Sequence, residues 1–151
     1  MYTRSMLALL LVLTLATAAS AKMKVSGEST CAKADPAYTI EVGVRPNHSF
    51  QIGKLKCTYT KAPEIGGIAA ASQEDTYFTE TTGNTSRTRG VAIVTMANGD
   101  KIYIPFDGAK WAFKGGTGKM AALKGKGTTK VTVAADGTST GVISGTYTLP
   151  K

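Results

Sequence analysis

Acidic and chemically reactive side chains are scarce in this chain. Its 151 residues hold 10 Asp and Glu against 18 Lys and Arg, one His, two Cys and one Trp. A single histidine, His48, and no Cys-x-x-Cys spacing leave no zinc ligand set, so no metal is expected. No Ser-His-Asp arrangement can be assembled by spacing. Glu74 and Asp75 are adjacent, and in a strand their side chains point to opposite faces, so they do not make an acid–base pair. Proline runs and charge blocks that would mark a linker are missing, which favours one domain over 22–151. No nucleic-acid-binding motif is present.

The N-terminus has the form of an export signal. Arg4 supplies the positive start, Met6 to Ala18 is apolar and leucine-rich, and Ala19-Ser20-Ala21 is a small-x-small cleavage site before Lys22. The apolar run is shorter than the roughly 20 residues needed to span a bilayer, and no transmembrane segment remains in the mature chain. Residues 1–21 are therefore expected to be removed and the protein to be secreted or periplasmic. In an oxidising compartment Cys31 and Cys57 can pair, and a bridge closing that loop stabilises by about 3 to 4 kcal/mol on the loop-entropy account.

Period-two alternation dominates the mature chain. Tyr38 to Val44 places Tyr38, Ile40, Val42 and Val44 on one face, as a half-buried strand does. Phe50 to Thr60 reads as a longer strand with Gly53 as a bulge. Thr88 to Ala97 and Lys101 to Phe106 flank the turn dipeptide Asn98-Gly99. On the second arm Ile102, Ile104 and Phe106 share a face, and Pro105 on the other suggests an edge or a strand end. Ile65 to Ser72 fits a short helix or a small-residue strand, and Lys119 to Lys124 a single helical turn. Seven or eight strands suit a small barrel or sandwich.

The last third is glycine-punctuated: Trp111-Ala-Phe113, Gly115-Gly-Thr-Gly-Lys119, Gly125-Lys-Gly127, Gly141 and Gly145-Thr-Tyr-Thr-Leu149. The glycines are expected at turns of an antiparallel meander. Gly115 to Lys119 is superficially a phosphate loop, but Phe113 and Met120 stand where the Walker pattern needs glycine and Ser or Thr, so a hairpin or bulge is the reading. Over roughly residues 88–150, with Asn98-Gly-Asp-Lys-Ile-Tyr103 leading these motifs, the order resembles the allene oxide cyclase and dirigent-like barrels, and in style small exported bacterial proteins that share the Gly-Gly-Thr-Gly hairpin. The resemblance implies an all-β, antiparallel, eight-stranded barrel with an apolar interior, similar to the lipocalin scaffold and with little helix. No catalytic residue and no cofactor carries over from it.

On such a scaffold the candidate cavity residues are Glu41, Tyr103, Trp111, Phe113 and Tyr147, the aromatics lining either a ligand cavity or a packed core. Glu41 would point into the lumen or into water. Lys110, Lys114, Lys119, Lys124, Lys126 and Lys130 fall in a stretch without Asp or Glu and could contact an anionic envelope surface or simply be solvated. The leading expectation is non-enzymatic binding of a small apolar or amphipathic molecule inside the barrel. The alternatives are a cyclase or isomerase of the dirigent-like kind, and a surface protein acting through its lysines.

Overall fold

The computed structural model describes residues 21–150; the export signal expected over 1–21 lies outside them save for Ala21. Ten strands follow in chain order: β1 (Met23–Cys31), β2 (Ala37–Glu41), β3 (His48–Lys61), β4 (Glu64–Ile65), β5 (Ile68–Thr82), β6 (Thr85–Met96), β7 (Lys101–Asp107), β8 (Lys110–Lys114), β9 (Lys124–Val133) and β10 (Ser139–Thr148). One 3-10 turn, Gly118–Met120, is the only helical piece among the described residues. The sheet runs β3-β1-β10-β9-β8-β7-β6-β5 and closes because β5 also pairs with β3. This is the closed eight-stranded antiparallel barrel that the resemblance implies.

Closure gives every strand an inside and an outside, and the inside must be filled by side chains from all eight strands at once. The structure solves this with rows that place a large residue beside a small one. Phe106 pairs with Gly90, Gly90 with Tyr77, and Tyr77 with Gly53. On the far wall Trp111 pairs with Gly127 and Gly127 with Gly145. A Cβ on Gly127 would stand 2.2 Å from Trp111 Cζ2, and one on Gly145 2.6 Å from its Cη2, so the indole fills the space that any side chain at these two positions would need. These glycines are mid-strand residues, not the turn formers expected from the sequence. Gly53 likewise sits in unbroken register with β2 and β5 rather than in a bulge.

One end of the barrel is sealed. Met96, Ile102, Met120 and Leu123 are at most 1% exposed. Ile65 joins them from the β4–β5 hairpin, which is where the segment read as a helix or strand folds back on itself. The Tyr147 hydroxyl accepts a hydrogen bond from the Gly66 amide at 3.0 Å and fastens that hairpin. Cys31 and Cys57 are directly opposed partners of β1 and β3 and are disulfide-bonded. Pro105 lies inside the closed wall rather than at an edge. Yet the β7–β8 ladder stops after Phe106↔Trp111 and Asp107↔Lys110, next to this residue that has no N–H to give.

Past the rim, the ends of β2, β3, β5 and β6 continue as a four-stranded arm. The expected strand over Tyr38–Val44 stops at Glu41, the chain turning through Gly43–Asn47 before β3. On the arm the lumen-side face is polar, with Thr79 bonded to Thr88 and Thr81 to Ser86. Its outer face carries Phe50 stacked on Phe78, with the Arg89 guanidinium over the Phe78 ring.

The glycine rows set the cost of an added methyl group. Gly127→Ala should lower the unfolding free energy by about 1 to 3 kcal/mol, the usual cost of overpacking, measured by urea denaturation. Gly43→Ala, where an added Cβ would have nothing within 4 Å, should leave stability nearly unchanged.

Candidate functional site

Above the sealed end the barrel encloses a cavity of about 180 Å³. It exists because two rows carry small residues: Ala92 stands between Ile104 and Asp75, and Gly141 between Val131 and Ser29. Trp111 and Phe113, tilted against each other with ring centroids 4.8 Å apart, form the lower wall, with Phe106 above them. The cavity opens at the end formed by the β7–β8 turn at Gly108, the start of β10 at Ser139 and the end of β1 at Cys31. Val131 and Val133, 59% and 67% exposed, are on the lumen-side face of β9 beside this mouth.

One wall is polar. β5 turns Gln73, Asp75 and Tyr77 into the cavity. The Tyr59 hydroxyl donates to Gln73 Oε1 at 2.8 Å, and Gln73 Nε2 donates to Asp75 Oδ1 at 2.8 Å. The Tyr77 hydroxyl donates to Gln51 Oε1 at 3.0 Å. Asp75 has Leu55 and Ala92 as its cross-strand neighbours, so its ionised form loses water without gaining a cationic partner. This desolvation pushes its carboxyl up to about 6, the hydrogen bond from Gln73 only partly opposing it. The residue is half-buried by surface area because it faces the open lumen and not because bulk water surrounds it. Burial, and secondarily the charge of Asp75, raises Tyr59, and burial raises Tyr77, so both phenols stay protonated.

Of the residues expected to line a cavity, Trp111 and Phe113 do so, and Tyr147 lies in the packed floor with its hydroxyl committed to Gly66. Glu41 is exposed on β2 of the arm, and Tyr103 is on the outer face, 39% exposed, paired with Ile93. Neither meets the cavity. Asp75, Gln73 and Tyr59, which sequence reasoning did not select, form its polar wall. The alternation of Gln73, Asp75 and Tyr77 against Glu74, Thr76 and Phe78 was readable, but both faces mix polar with aromatic residues, and only barrel closure decides which one is inside.

The six lysines are all exposed. Lys110 and Lys114 on β8 and Lys124, Lys126 and Lys130 on β9 face outward, on the reverse of the wall that holds Trp111 and Phe113. The ion pairs among the described residues are Lys54–Glu74, Arg87–Asp107 and His48–Glu80, and none includes these six. Lys119 instead follows the glycine loop, where its amide donates to Asp100 Oδ2 at 3.0 Å. A Cβ on Gly118, whose φ is +51°, would meet Asp100 Oδ1 at 2.0 Å. The space in which a phosphate loop would hold its anion is thus filled by the protein's own carboxylate. Among the described residues no group of three or more His, Cys, Asp or Glu could hold a metal.

No family model and no curated protein matches the sequence. Solved structures do match the fold. The pterocarpan synthase dirigent protein GePTS1 is similar over 99% of each chain, with a TM-score of 0.55 and 12% identity. A second pterocarpan synthase dirigent protein, PsPTS1, is similar over 87% of this chain and 97% of its own, with a TM-score of 0.56 and 12% identity. The chain therefore has the dirigent-like barrel fold, in agreement with the resemblance read from residues 88–150.

The position of Asp75 predicts a pH dependence of stability. Because its folded value lies above the ordinary carboxylate value, the folded state holds a proton more tightly than the unfolded chain, and the stabilisation is present below about pH 4 and lost as pH rises through about 6. Asp75→Asn removes the cost of the buried charge while keeping an oxygen for Gln73. Denaturation at about pH 8 should find the variant more stable than wild type by on the order of 1 to 2 kcal/mol, discounted for partial exposure, with the difference vanishing near pH 4.

Proposed function

We propose that this protein is exported and binds one small apolar or amphipathic molecule in its barrel lumen. The observation that carries the reading is the aromatic-walled cavity of about 180 Å³, sealed at one end and open at the other. A cavity of about 150 Å³ lined by apolar side chains is enough to take up benzene. The mouth valines offer an apolar approach, and the polar wall of Asp75, Gln73 and Tyr59 gives one end of the ligand a place to hydrogen-bond. The Cys31–Cys57 bridge suits an oxidising compartment and supports export.

A specific feature favours a second reading, a cyclase or isomerase of the dirigent-like kind. A carboxyl pushed up to about 6 can hold or release a proton near neutrality, and a phenol and an amide stand in line with it. The fold alone does not argue for turnover, since one scaffold hosts many chemistries. A third reading, contact with anionic envelope components, is supported by the outward lysines of β8 and β9, whose outward neighbours on β10 are Val142, Ser144, Thr146 and Thr148, with no carboxylate among them.

Fluorobenzene followed by 19F NMR tests the first reading. Exchange broadening that saturates with protein is expected, and Ala92→Phe, which places a ring in the lumen, should weaken it at least tenfold while circular dichroism stays unchanged. Equal broadening by wild type and variant would remove the lumen as the site. For the lysine face, replacing Lys110, Lys126 and Lys130 by Gln should abolish sedimentation with phosphatidylglycerol vesicles at low salt, and about 0.5 M salt should do the same to wild type.

A further inference from the structure

The cavity and the surface carry opposite charge preferences. The whole chain has a formal charge of +8, yet no lysine, arginine or histidine lines the lumen among the described residues. Two acidic residues border it, but only one turns its carboxylate inward. Glu28 is exposed on β1 at the register shift against β3, whereas Asp75 faces inward between Leu55 and Ala92. One oxygen of Asp75 is hydrogen-bonded by Gln73, and no cation stands beside it: the ion-paired Lys54 and Glu74 lie on the outer face at the neighbouring positions. The remaining polar groups near it, Tyr59, Gln73 and Tyr77, are neutral.

We infer that the lumen selects a small protonated amine with an apolar or aromatic body, the ammonium pairing with Asp75 and the body lying against Trp111, Phe113 and Phe106. The inference rests on the lumen being a binding site at all. A cation entering the lumen gives up water, and a carboxylate that is itself poorly solvated compensates it more strongly than one at the surface. The aromatic walls add the attraction of ring faces for a cation. An organic anion of the same size meets a like charge with no cation to offset it. Rejection of anions is therefore built into the site, and selectivity comes from repulsion as much as from attraction. The lysines of the aromatic wall do not enter the site: Lys110, Lys114 and Lys126 are on the water side of the same strands that present Trp111, Phe113 and Gly127 inward, where salt screens them.

Trp111 is the only tryptophan of the chain and lines the lumen, so its fluorescence reads occupancy directly. Three probes of matched size separate the possibilities: phenethylamine, 2-phenylethanol and phenylacetate. At about pH 8 the amine should bind at least tenfold more tightly than the alcohol, and phenylacetate more weakly than either. Asp75→Asn should bring the amine-to-alcohol ratio to about one, chiefly by weakening the amine. In wild type, lowering the pH from about 8 to about 5 should cut the amine's advantage by about tenfold as Asp75 takes up its proton, with Tyr59 and Tyr77 protonated throughout; this arm holds even if the variant does not fold. An alcohol that binds as well as the amine, a ratio that survives Asp75→Asn, or a ratio flat with pH would overturn the inference while leaving lumen binding intact. Failure of all three probes to perturb Trp111 would remove the binding reading and this inference together.

Discussion

The fit of the Trp111 indole against two glycines is the contact on which the rest depends. In a closed barrel eight strands share one narrow interior, and a side chain of indole size can be housed only if the neighbouring strands yield the volume. Gly127 and Gly145 do so in adjacent register positions, and Gly125 does the same beneath Phe113. The opposite wall repeats the device with Phe106, Gly90, Tyr77 and Gly53. Stability and cavity then arise from one pattern: where an aromatic lies over glycine the interior is filled, and where Ala92 and Gly141 face no such ring it is left open.

This arrangement explains what the sequence made legible. Ile102, Ile104 and Phe106 alternate cleanly against their neighbours, and they are lumen-side residues; Trp111 and Phe113 share a face and are inside; Cys31 and Cys57 are bonded. The glycines were harder, because a glycine under an indole and a glycine in a turn look alike along the chain. Gly99 and Gly137 are in turns with positive φ, while Gly125, Gly127 and Gly145 are not. Distinguishing them needs the register, which is a property of strand pairs. Glu41 and Tyr103 fell outside for a related reason: local alternation says that two faces differ, and the β3–β5 closure says which one is enclosed. On β5 the hydrophobic cue even points the wrong way, with Phe78 outside and Asp75 within.

Asp75 is costly in that position and is not replaced by a neutral residue. The hydrogen-bonded run from Tyr59 through Gln73 offsets part of the cost by supplying a donor to the carboxylate, and it also fixes the carboxyl's orientation toward the lumen. A buried acid without a cation is stable when protonated and strained when ionised. Occupation of the lumen by a group that neutralises it would relieve that strain, so the site that destabilises the empty barrel is the one that a ligand would stabilise.

Charge elsewhere is kept from interfering by the strand period itself. Along β8 and β9 the outward positions are lysine or threonine, with Ala112 the exception, while the inward ones run through Trp111, Phe113, Gly125 and Gly127. One wall thus serves two surfaces without sharing a side chain. The glycine loop that ends this wall spends its backbone donor on Asp100 and is closed to outside anions. An anion drawn to the lysines therefore meets an exterior with hydroxyls and no built pocket, whereas the enclosed acid lies a wall's thickness away behind apolar rings. The two surfaces can change independently: replacing a lysine leaves the rows inside untouched, and replacing Trp111 or Gly127 leaves the outer charge as it was.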